Sequence, residues 1–207
     1  MDITVLLVRH AQTRSNVTGR YMGWIDEDLS EDGVWQAERL SQRLRNWEIA
    51  SAYSSPLKRA FRTAEIIAAP HALSVSPLSD LGEIRIGAWE GMSEEEIKVK
   101  FSHIWQVWKA EPANAVVPGA ESLAQVQDRA VAAFERILET NQGRQVLVAT
   151  HDVIVRVLVA HCLGVSNSIY RHLEVANASL TIIQLVNGRF RLRLLNDTGH
   201  LEGNLQL

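Results

Sequence analysis

The chain has 207 residues, of which 46% are hydrophobic and 22% are charged, and its formal net charge is −3. This composition is typical of a globular protein and excludes disordered and fibrous classes. The length predicts a single domain over residues 1–207, whose core needs neither a disulfide nor a structural metal. The weakly acidic balance argues against nucleic acid or an anionic membrane as the main partner. Any anion that the protein binds must therefore be held by local positive charge.

The sequence lacks targeting signals, which predicts a cytoplasmic protein. The first apolar run has no basic stretch before it and ends at Arg9 and His10, too early for a signal peptide. The longest later apolar stretch, residues 153–165, carries Arg156 and falls short of the roughly 20 residues that a membrane span needs. Cys162 is the only cysteine and lies in this stretch, so we expect a buried thiol in a reducing compartment.

The first third of the chain alternates predicted strands and helices. Residues 3–8 are β-branched and almost wholly apolar, which predicts a central strand covered on both faces. Ser30 is expected to cap a helix. The inward face of that helix consists of apolar residues three or four positions apart: Ala37, Leu40, Leu44 and Trp47. A second strand is expected to end at residues 52–54, and a helix follows over residues 57–69, stopped by Pro70.

The alternation continues after a predicted loop at residues 116–119. The next helix carries an inward stripe and ends near residues 141–143. Its stripe consists of Leu123, Val126, Ala130, Phe134 and Ile137. Residues 145–149 predict another buried strand, and residues 153–163 predict the helix after it.

The last elements are a predicted hairpin. The strands Leu180–Val186 and residues 190–195 flank Asn187 and Gly188, the residue pair that a type I′ turn favours. Together the elements predict an α/β fold, a three-layer sandwich in which helices flank a mostly parallel central sheet with an antiparallel closing hairpin.

Sheets of this class bind ligands at the carboxyl ends of their strands. Two sequence positions meet that rule: Arg9 and His10 after the first strand, and His151 after the strand at residues 145–149. A histidine is therefore expected at both places where a ligand would bind.

Six ordered blocks of the sequence carry a more specific signal. The first, R-H-A-Q-T at residues 9–13 followed by Asn16, resembles the R-H-G-[EQ]-T-x-x-N signature of the histidine phosphatase superfamily, which includes the cofactor-dependent phosphoglycerate mutases. The later blocks follow in that family's order: G-W-I-D at 23–26 with L-S at 29–30 and Q-A at 36–37, S-S-P-L-K-R-A at 54–60, L-G-E at 81–83 with W-E-G at 89–91, P-G-A-E-S at 118–122, and T-H at 150–151. The resemblance spans roughly residues 3–163.

This resemblance implies a catalytic set and a phosphate-binding set. The catalytic residues would be His10 as the nucleophile, Glu83 as the general acid and base, and His151 as a transition-state stabiliser. The phosphate-binding residues would be Arg9, Asn16 and Arg59. These types suit the chemistry, because phosphoryl transfer needs fixed cations and a nucleophile, and guanidinium groups bind phosphate through paired donors. The acid role further requires a raised pKa at Glu83.

Three of these residues have a structural alternative. His151 could be a hydrogen-bonded core histidine, and Arg59 could be a charge on a helix surface. Glu83 competes with Glu90 and Asp80 for the acid role. The spacing to the W-E-G block favours Glu83 and leaves Glu90 as a structural partner.

The substrate pocket is less defined by the sequence. Gly23 and Trp24 lie inside a signature block, and His200 lies where similar bacterial phosphatases carry a His-Leu pair, so these three are candidates for the pocket. An exposed residue of the C-terminal tail is the alternative for His200. We expect the residues that select the substrate to come from the segment between Gly91 and Pro118 and from the C-terminus.

The sequence departs from the family signature at two places. Ala11 replaces the usual glycine after His10, and Asp152 follows His151 where glycine is usual. Asp152 either caps the helix that begins there or brings a negative charge to the ligand, and the cap is favoured because the helix needs one.

The function expected from these residues is a metal-independent phosphomonoesterase that acts on a small phosphorylated metabolite without a cofactor. The residues I-G-A-W-E-G at 86–91 are of the phosphatase type, and mutases of the family are generally longer. A phosphoglycerate mutase is the alternative enzyme, and a catalytically silent phospholigand-binding protein is the third hypothesis. No metal site is expected, because no H-x-x-x-H or C-x-x-C spacing is present. The apolar segment at residues 104–107 could form a homodimer face or pack on the core.

Overall fold

The computed structural model describes residues 2–202, and within them one mixed sheet lies between two layers of helices. The strands are β1 (Ile3–Arg9), β2 (Ile49–Ser54), β3 (Val75–Pro77), β4 (Gln145–Thr150), β5 (Leu180–Val186) and β6 (Arg189–Asp197). The helices are α1 (Arg14–Thr18), α2 (Glu31–Leu44), α3 (Lys58–Ala68), α4 (Glu94–Lys100), α5 (Ser102–Ala110), α6 (Leu123–Thr140) and α7 (Asp152–Leu163).

The strand order is β3-β2-β4-β1-β5-β6. The pairs β3–β2, β2–β4 and β4–β1 are parallel, whereas the pairs β1–β5 and β5–β6 are antiparallel. The predicted α/β sandwich with a mostly parallel sheet is confirmed. Because β1, β4 and β2 are parallel neighbours, their carboxyl ends meet at one edge of the sheet.

The alternating side chains of β1 divide the core into two halves. Val5 and Leu7 are fully buried on the face that α6 and α7 cover, where Phe134 belongs to the same cluster. Leu6 and Val8 are fully buried on the opposite face, against α2 and α3. A strand that is apolar on both faces therefore lies at the centre of the sheet, as its sequence predicts.

Most predicted elements form within a few residues of their expected bounds. Asn187 and Gly188 have φ values of 50° and 73°, which are the positive angles of the predicted hairpin turn. Ser30 caps α2 by accepting a hydrogen bond from the Gly33 amide at 3.0 Å. However, α2 ends at Leu44, so Trp47 lies beyond it and packs on the core from the following turn.

Four short elements were not predicted: α1, α4, α5 and β3. Each has at most nine residues, too few for a clear hydrophobic period. The start of α4 nevertheless carries a capping box, in which Ser93 and Glu96 bond to each other's backbone amides. In α5, Trp105 joins the core and Ile104 packs against it, so the apolar segment at 104–107 contributes to packing within the chain. None of the helices in residues 2–202 is long and apolar enough to cross a membrane.

Gly33 lets α2 approach the loop that follows the first strand. A Cβ at this position would lie 2.0 Å from the carbonyl oxygen of Gln12. We expect Gly33→Ala to lower the free energy of unfolding by about 1–3 kcal/mol through this overpacking, although alanine is the better helix former. Urea denaturation measures the change, with Glu38→Ala on the exposed side of the same helix as the control. Equal stability of Gly33→Ala and the wild type would contradict the close approach.

Candidate active site

The parallel pairing of β1 and β4 brings the two signature histidines together. Arg9 and Thr150 are register partners, so His10 and His151 leave adjacent strands side by side. Their ring centroids are 5.2 Å apart, and both side chains are buried.

The imidazole of His10 is held in one tautomer. Its Nδ1 lies 2.8 Å from the Ala11 carbonyl oxygen, and because a carbonyl only accepts, Nδ1 must carry the proton. Nε2 therefore keeps its lone pair. Burial, and then the charges of Arg59 and Arg9, hold the pKa of His10 well below its ordinary value. His10 is thus a neutral imidazole with a free ring nitrogen.

The loop after β1 is anchored to α3. The Ala11 amide donates to Thr63 Oγ1 at 3.0 Å, and this hydroxyl donates to the Arg59 carbonyl at 2.7 Å. Ala11 has no positive φ, so the backbone here does not require the glycine of the family signature.

His151 is fixed from the neighbouring strand. Its Nε2 lies 2.8 Å from the hydroxyl oxygen of Ser55, which follows β2, while Nδ1 is buried without a hydrogen-bond partner in residues 2–202. Burial lowers the pKa of His151 well below its ordinary value, and the charge of Arg59 acts in the same direction. A neutral ring with one unused buried nitrogen is costly unless a ligand serves it.

Two arginines supply the positive charge of the site. The Arg59 side chain is only 4% exposed and donates to the carbonyl oxygens of Gly23 at 2.8 Å and Ile25 at 3.1 Å. The alternative of a helix-surface charge is therefore wrong for Arg59. Arg9 donates to the Val175 carbonyl, and its Nε is buried without a partner in the described part of the chain.

Asn16 reaches the site from α1. Its Oδ1 accepts from the Thr13 amide at 3.0 Å and from the Asn177 side-chain amide at 3.1 Å. These two donors orient the carboxamide and leave its own NH2 group to donate toward the cavity, which Asn16 lines.

Glu83 is the carboxylic acid beside the histidines. Its Oε1 accepts from the Ile84 amide at 2.8 Å. Burial and then the negative charge of Asp152 raise the pKa of Glu83 from 4.5 to about 7. Its backbone carbonyl accepts from Arg129 at 2.9 Å and from the Trp24 indole. Both protonation states of such a carboxyl are populated near neutral pH, so it can donate a proton and also accept one.

The other two carboxylic acids considered from the sequence lie outside the site. Glu90 accepts from the Trp24 amide at 2.8 Å and so has the structural role expected of it. Asp80 pairs with Arg136 at 2.7 Å on an exposed surface.

These groups surround a cavity of about 330 Å3. Its walls include Arg9, His10, Asn16, Arg59 and Glu83. His151 packs directly behind His10.

Two of the three pocket candidates do not line this cavity. Gly23 lines the cavity. Trp24 does not line it, but its indole N–H donates to the backbone carbonyl of Glu83, which does. His200 lies elsewhere, in a surface cleft against α2, where Arg39 donates to its carbonyl at 3.2 Å. The expectation for His200 is therefore wrong. A paired hydrogen bond between Arg43 and Asp197, at 2.7 and 2.8 Å, holds the end of β6 on that helix.

Asp152 also differs from the expectation, because His151 occupies the cap position and no side chain caps α7. Asp152 is the first helical residue, and its carboxylate lines the cavity. It accepts from Arg156 Nε at 3.0 Å and lies 3.8 Å from Arg9 Nη1. Asp152 therefore pairs with Arg156 one helical turn later and does not cap the amides at the start of α7.

Sequence reasoning assigned no role to four supporting residues: Ser55, Thr63, Arg129 and Asn177. The sequence does contain a signal that Ser55 lies near the site, because Ser55 follows a strand that ends at the same sheet edge as His10. It contains no such signal for Arg129. Arg129 lies in α6 and donates to the Asp80, Gly82 and Glu83 carbonyls, contacts 46–49 positions away in the chain. In residues 2–202 no group of three or more His, Cys, Asp or Glu side chains is arranged to hold a metal ion.

Known proteins resemble this chain in sequence and in fold. A family model described as the histidine phosphatase superfamily (branch 1) matches residues 5–198. Phosphoserine phosphatase 1 of Hydrogenobacter thermophilus is 37% identical over 199 residues, which cover 96% of this chain and 94% of the relative. Among solved structures, Bacillus stearothermophilus YhfR has a TM-score of 0.93 at 31% identity and covers 97% of this chain and 100% of its own. A mycobacterial glucosyl-3-phosphoglycerate phosphatase has a TM-score of 0.85 at 27% identity, with 93% and 98% covered.

The raised pKa of Glu83 has a consequence for stability. Ionising this carboxyl is harder in the folded chain than in the unfolded chain, so the wild type loses stability as the pH rises from 4.5 to about 7. Glu83→Gln removes this loss. We expect the stability of the variant relative to the wild type to increase by about 2–3 kcal/mol between pH 4 and pH 8.

Urea denaturation at several pH values measures this change. Glu38→Gln removes an exposed carboxylate from α2 and is the matched control. A stability difference between Glu83→Gln and the wild type that does not vary with pH would show that Glu83 ionises as an ordinary carboxyl.

Proposed function

This chain belongs to branch 1 of the histidine phosphatase superfamily and is a phosphatase of that family, and we propose that it hydrolyses small phosphate monoesters through a phosphohistidine on His10, without a metal ion. The observation that carries the proposal is the fixed tautomer of His10. Its Nδ1 proton is bound by the Ala11 carbonyl, and its Nε2 lone pair is free in a cavity that Arg9 and Arg59 line. A neutral imidazole beside fixed cations is the nucleophile that phosphoryl transfer needs.

In the first step, His10 Nε2 attacks the phosphorus and the bond from phosphorus to the ester oxygen breaks. The departing alkoxide takes the proton of Glu83 and leaves as the alcohol. Arg9 and Asn16 line the cavity with unused donors for the phosphoryl oxygens, and Arg59 adds positive charge. The stabilising role of His151 stays a prediction, because its ring packs against that of His10 and does not line the cavity.

In the second step, the Glu83 carboxylate takes a proton from water, and the oxygen of that water attacks the phosphorus. The bond between phosphorus and His10 Nε2 breaks, inorganic phosphate leaves, and Glu83 is again protonated. The sum of the two steps is hydrolysis of the ester. A pKa of about 7 lets one carboxyl serve as the acid first and as the base afterwards.

We propose the cytoplasm as the compartment and one catalytic domain as the organisation. Cys162, the only cysteine, is partly buried, and burial raises the pKa of its thiol to about 12. An unreactive thiol in a chain that can form no internal disulfide supports a reducing compartment.

A homodimer stays a prediction that light scattering at several concentrations tests.

Two esters test the hydrolase directly in excess EDTA: p-nitrophenyl phosphate and benzyl phosphate. We expect the wild type to hydrolyse both, and His10→Ala to lose at least about a thousandfold in kcat with either, because its nucleophile is absent. Glu83→Gln should slow benzyl phosphate by about 10²–10⁴-fold and p-nitrophenyl phosphate less, since p-nitrophenolate leaves without a proton. The exposed Lys58→Ala is the matched control.

Phosphate release that is unchanged in His10→Ala, or lost in EDTA, would overturn the proposal. Isomerisation of 3-phosphoglycerate without phosphate release would indicate the mutase instead. Failure of both reactions would favour the silent binding protein.

A further inference from the structure

The cavity extends beyond the phosphate-binding end into a mostly apolar chamber. Six of its apolar wall residues are Ile84, Trp89, Trp108, Val117, Leu123 and Tyr170. Trp108 is the centre of this wall, with its ring centroid 5.9 Å from that of Trp89 and 5.6 Å from that of Tyr170. Because edge-to-face packing fixes these rings in place, the apolar surface is formed before a ligand arrives.

The charged groups of the chamber are mainly carboxylates, and each has a partner. Glu94 pairs with Lys98 at 2.6 Å, and Glu121 pairs with Arg129 at 2.8 Å. Asp152 pairs with Arg156 at 2.9 Å and lies 3.8 Å from Arg9. The cations of these pairs are therefore already neutralised, and a negative group on the ligand would have to compete with a carboxylate for any of them.

Among the described residues that line the cavity, Arg20 is the one cation besides Arg9 and Arg59. Its Nη1 already donates to the Gly91 carbonyl at 2.7 Å and lies 3.4 Å from the Glu96 carboxylate. A carboxylate on the organic part of a substrate would thus lose water and would have to compete with Glu96 and the Gly91 carbonyl for this half-exposed cation.

From these two observations we propose that the site selects phosphate monoesters whose organic part is apolar, of aromatic size, and free of carboxylate groups. This inference rests on the proposed hydrolase and names its substrate class. The proposed substrate class excludes phosphoserine, because phosphoserine carries a carboxylate. The chain would therefore differ in substrate from its Hydrogenobacter relative, which is named a phosphoserine phosphatase. Phosphoserine and 3-phosphoglycerate are accordingly expected to be poor substrates.

Benzyl phosphate and 4-carboxybenzyl phosphate form a matched pair, since they differ by one carboxylate far from the reacting bond. We expect the wild type to prefer benzyl phosphate by at least about tenfold in kcat/KM, and to hydrolyse phosphoserine no faster than the carboxylated ester. Equal rates, or a preference for the carboxylated ester, would overturn the proposal.

A single added cation tests the charge argument. Ala115 lines the cavity at its partly exposed edge, whereas Ala113 is exposed and outside the cavity. Ala115→Arg should lower the preference for benzyl phosphate at least about fivefold, because a carboxylate then finds a partner. Ala113→Arg adds the same charge outside the cavity and should leave the ratio unchanged. Equal ratios in both variants would contradict the charge argument.

Binding of inert phosphonates separates this inference from the hydrolase proposal. Calorimetry with benzylphosphonate and 4-carboxybenzylphosphonate compares affinities without turnover. Tighter binding of benzylphosphonate would support the inferred selectivity even if no ester were hydrolysed. Absence of hydrolysis together with this binding preference would overturn only the hydrolase proposal. Equal or tighter binding of the carboxylated phosphonate overturns the inferred substrate class, whatever the rates are.

Discussion

The hydrogen bond from His10 Nδ1 to the Ala11 carbonyl, at 2.8 Å, is the contact on which the site depends. It fixes the tautomer, and so it decides which ring nitrogen can attack. The same loop is anchored through Thr63, whose hydroxyl accepts from the Ala11 amide and donates to the Arg59 carbonyl. The proposed nucleophile, His10, and Arg59, a proposed phosphate-binding residue, are therefore positioned by one chain of hydrogen bonds that links the end of β1 to α3.

The sheet order supplies the remaining geometry. Because β2, β4 and β1 are parallel neighbours, Ser55, His151 and His10 reach the same edge from three distant parts of the chain. Burial then lowers the pKa of both histidines and raises that of Glu83. One physical cause thus favours neutral histidines and a protonated Glu83, which is the protonation state that the first step of the proposed mechanism uses.

The sequence predicts what depends on local pattern. Residues 3–8 predict the central strand, and the strand-end rule with the R-H pair leads to His10 and His151. Prediction from the sequence fails where a contact between distant parts of the chain determines the position of a side chain. His200 lies in a separate cleft, where Arg43 and Asp197 pair across 154 positions. The expected cap at Asp152 fails for a local reason, because its carboxylate pairs with Arg156 four positions later. Arg129 has no local signal, since its partners are loop carbonyls that only the folded chain brings near α6.

The most direct test is the chemical identity of the covalent intermediate. Glu83→Gln removes the base that activates water, so its reaction with p-nitrophenyl phosphate should accumulate the phosphorylated protein. Quenching in alkaline denaturant, followed by digestion and ³¹P NMR, assigns the phosphorylated atom. The account predicts one phosphoryl group on Nε2 of His10 and none in a protein that also carries His10→Ala. Phosphate on Nδ1 of His10, or on another side chain, would contradict it.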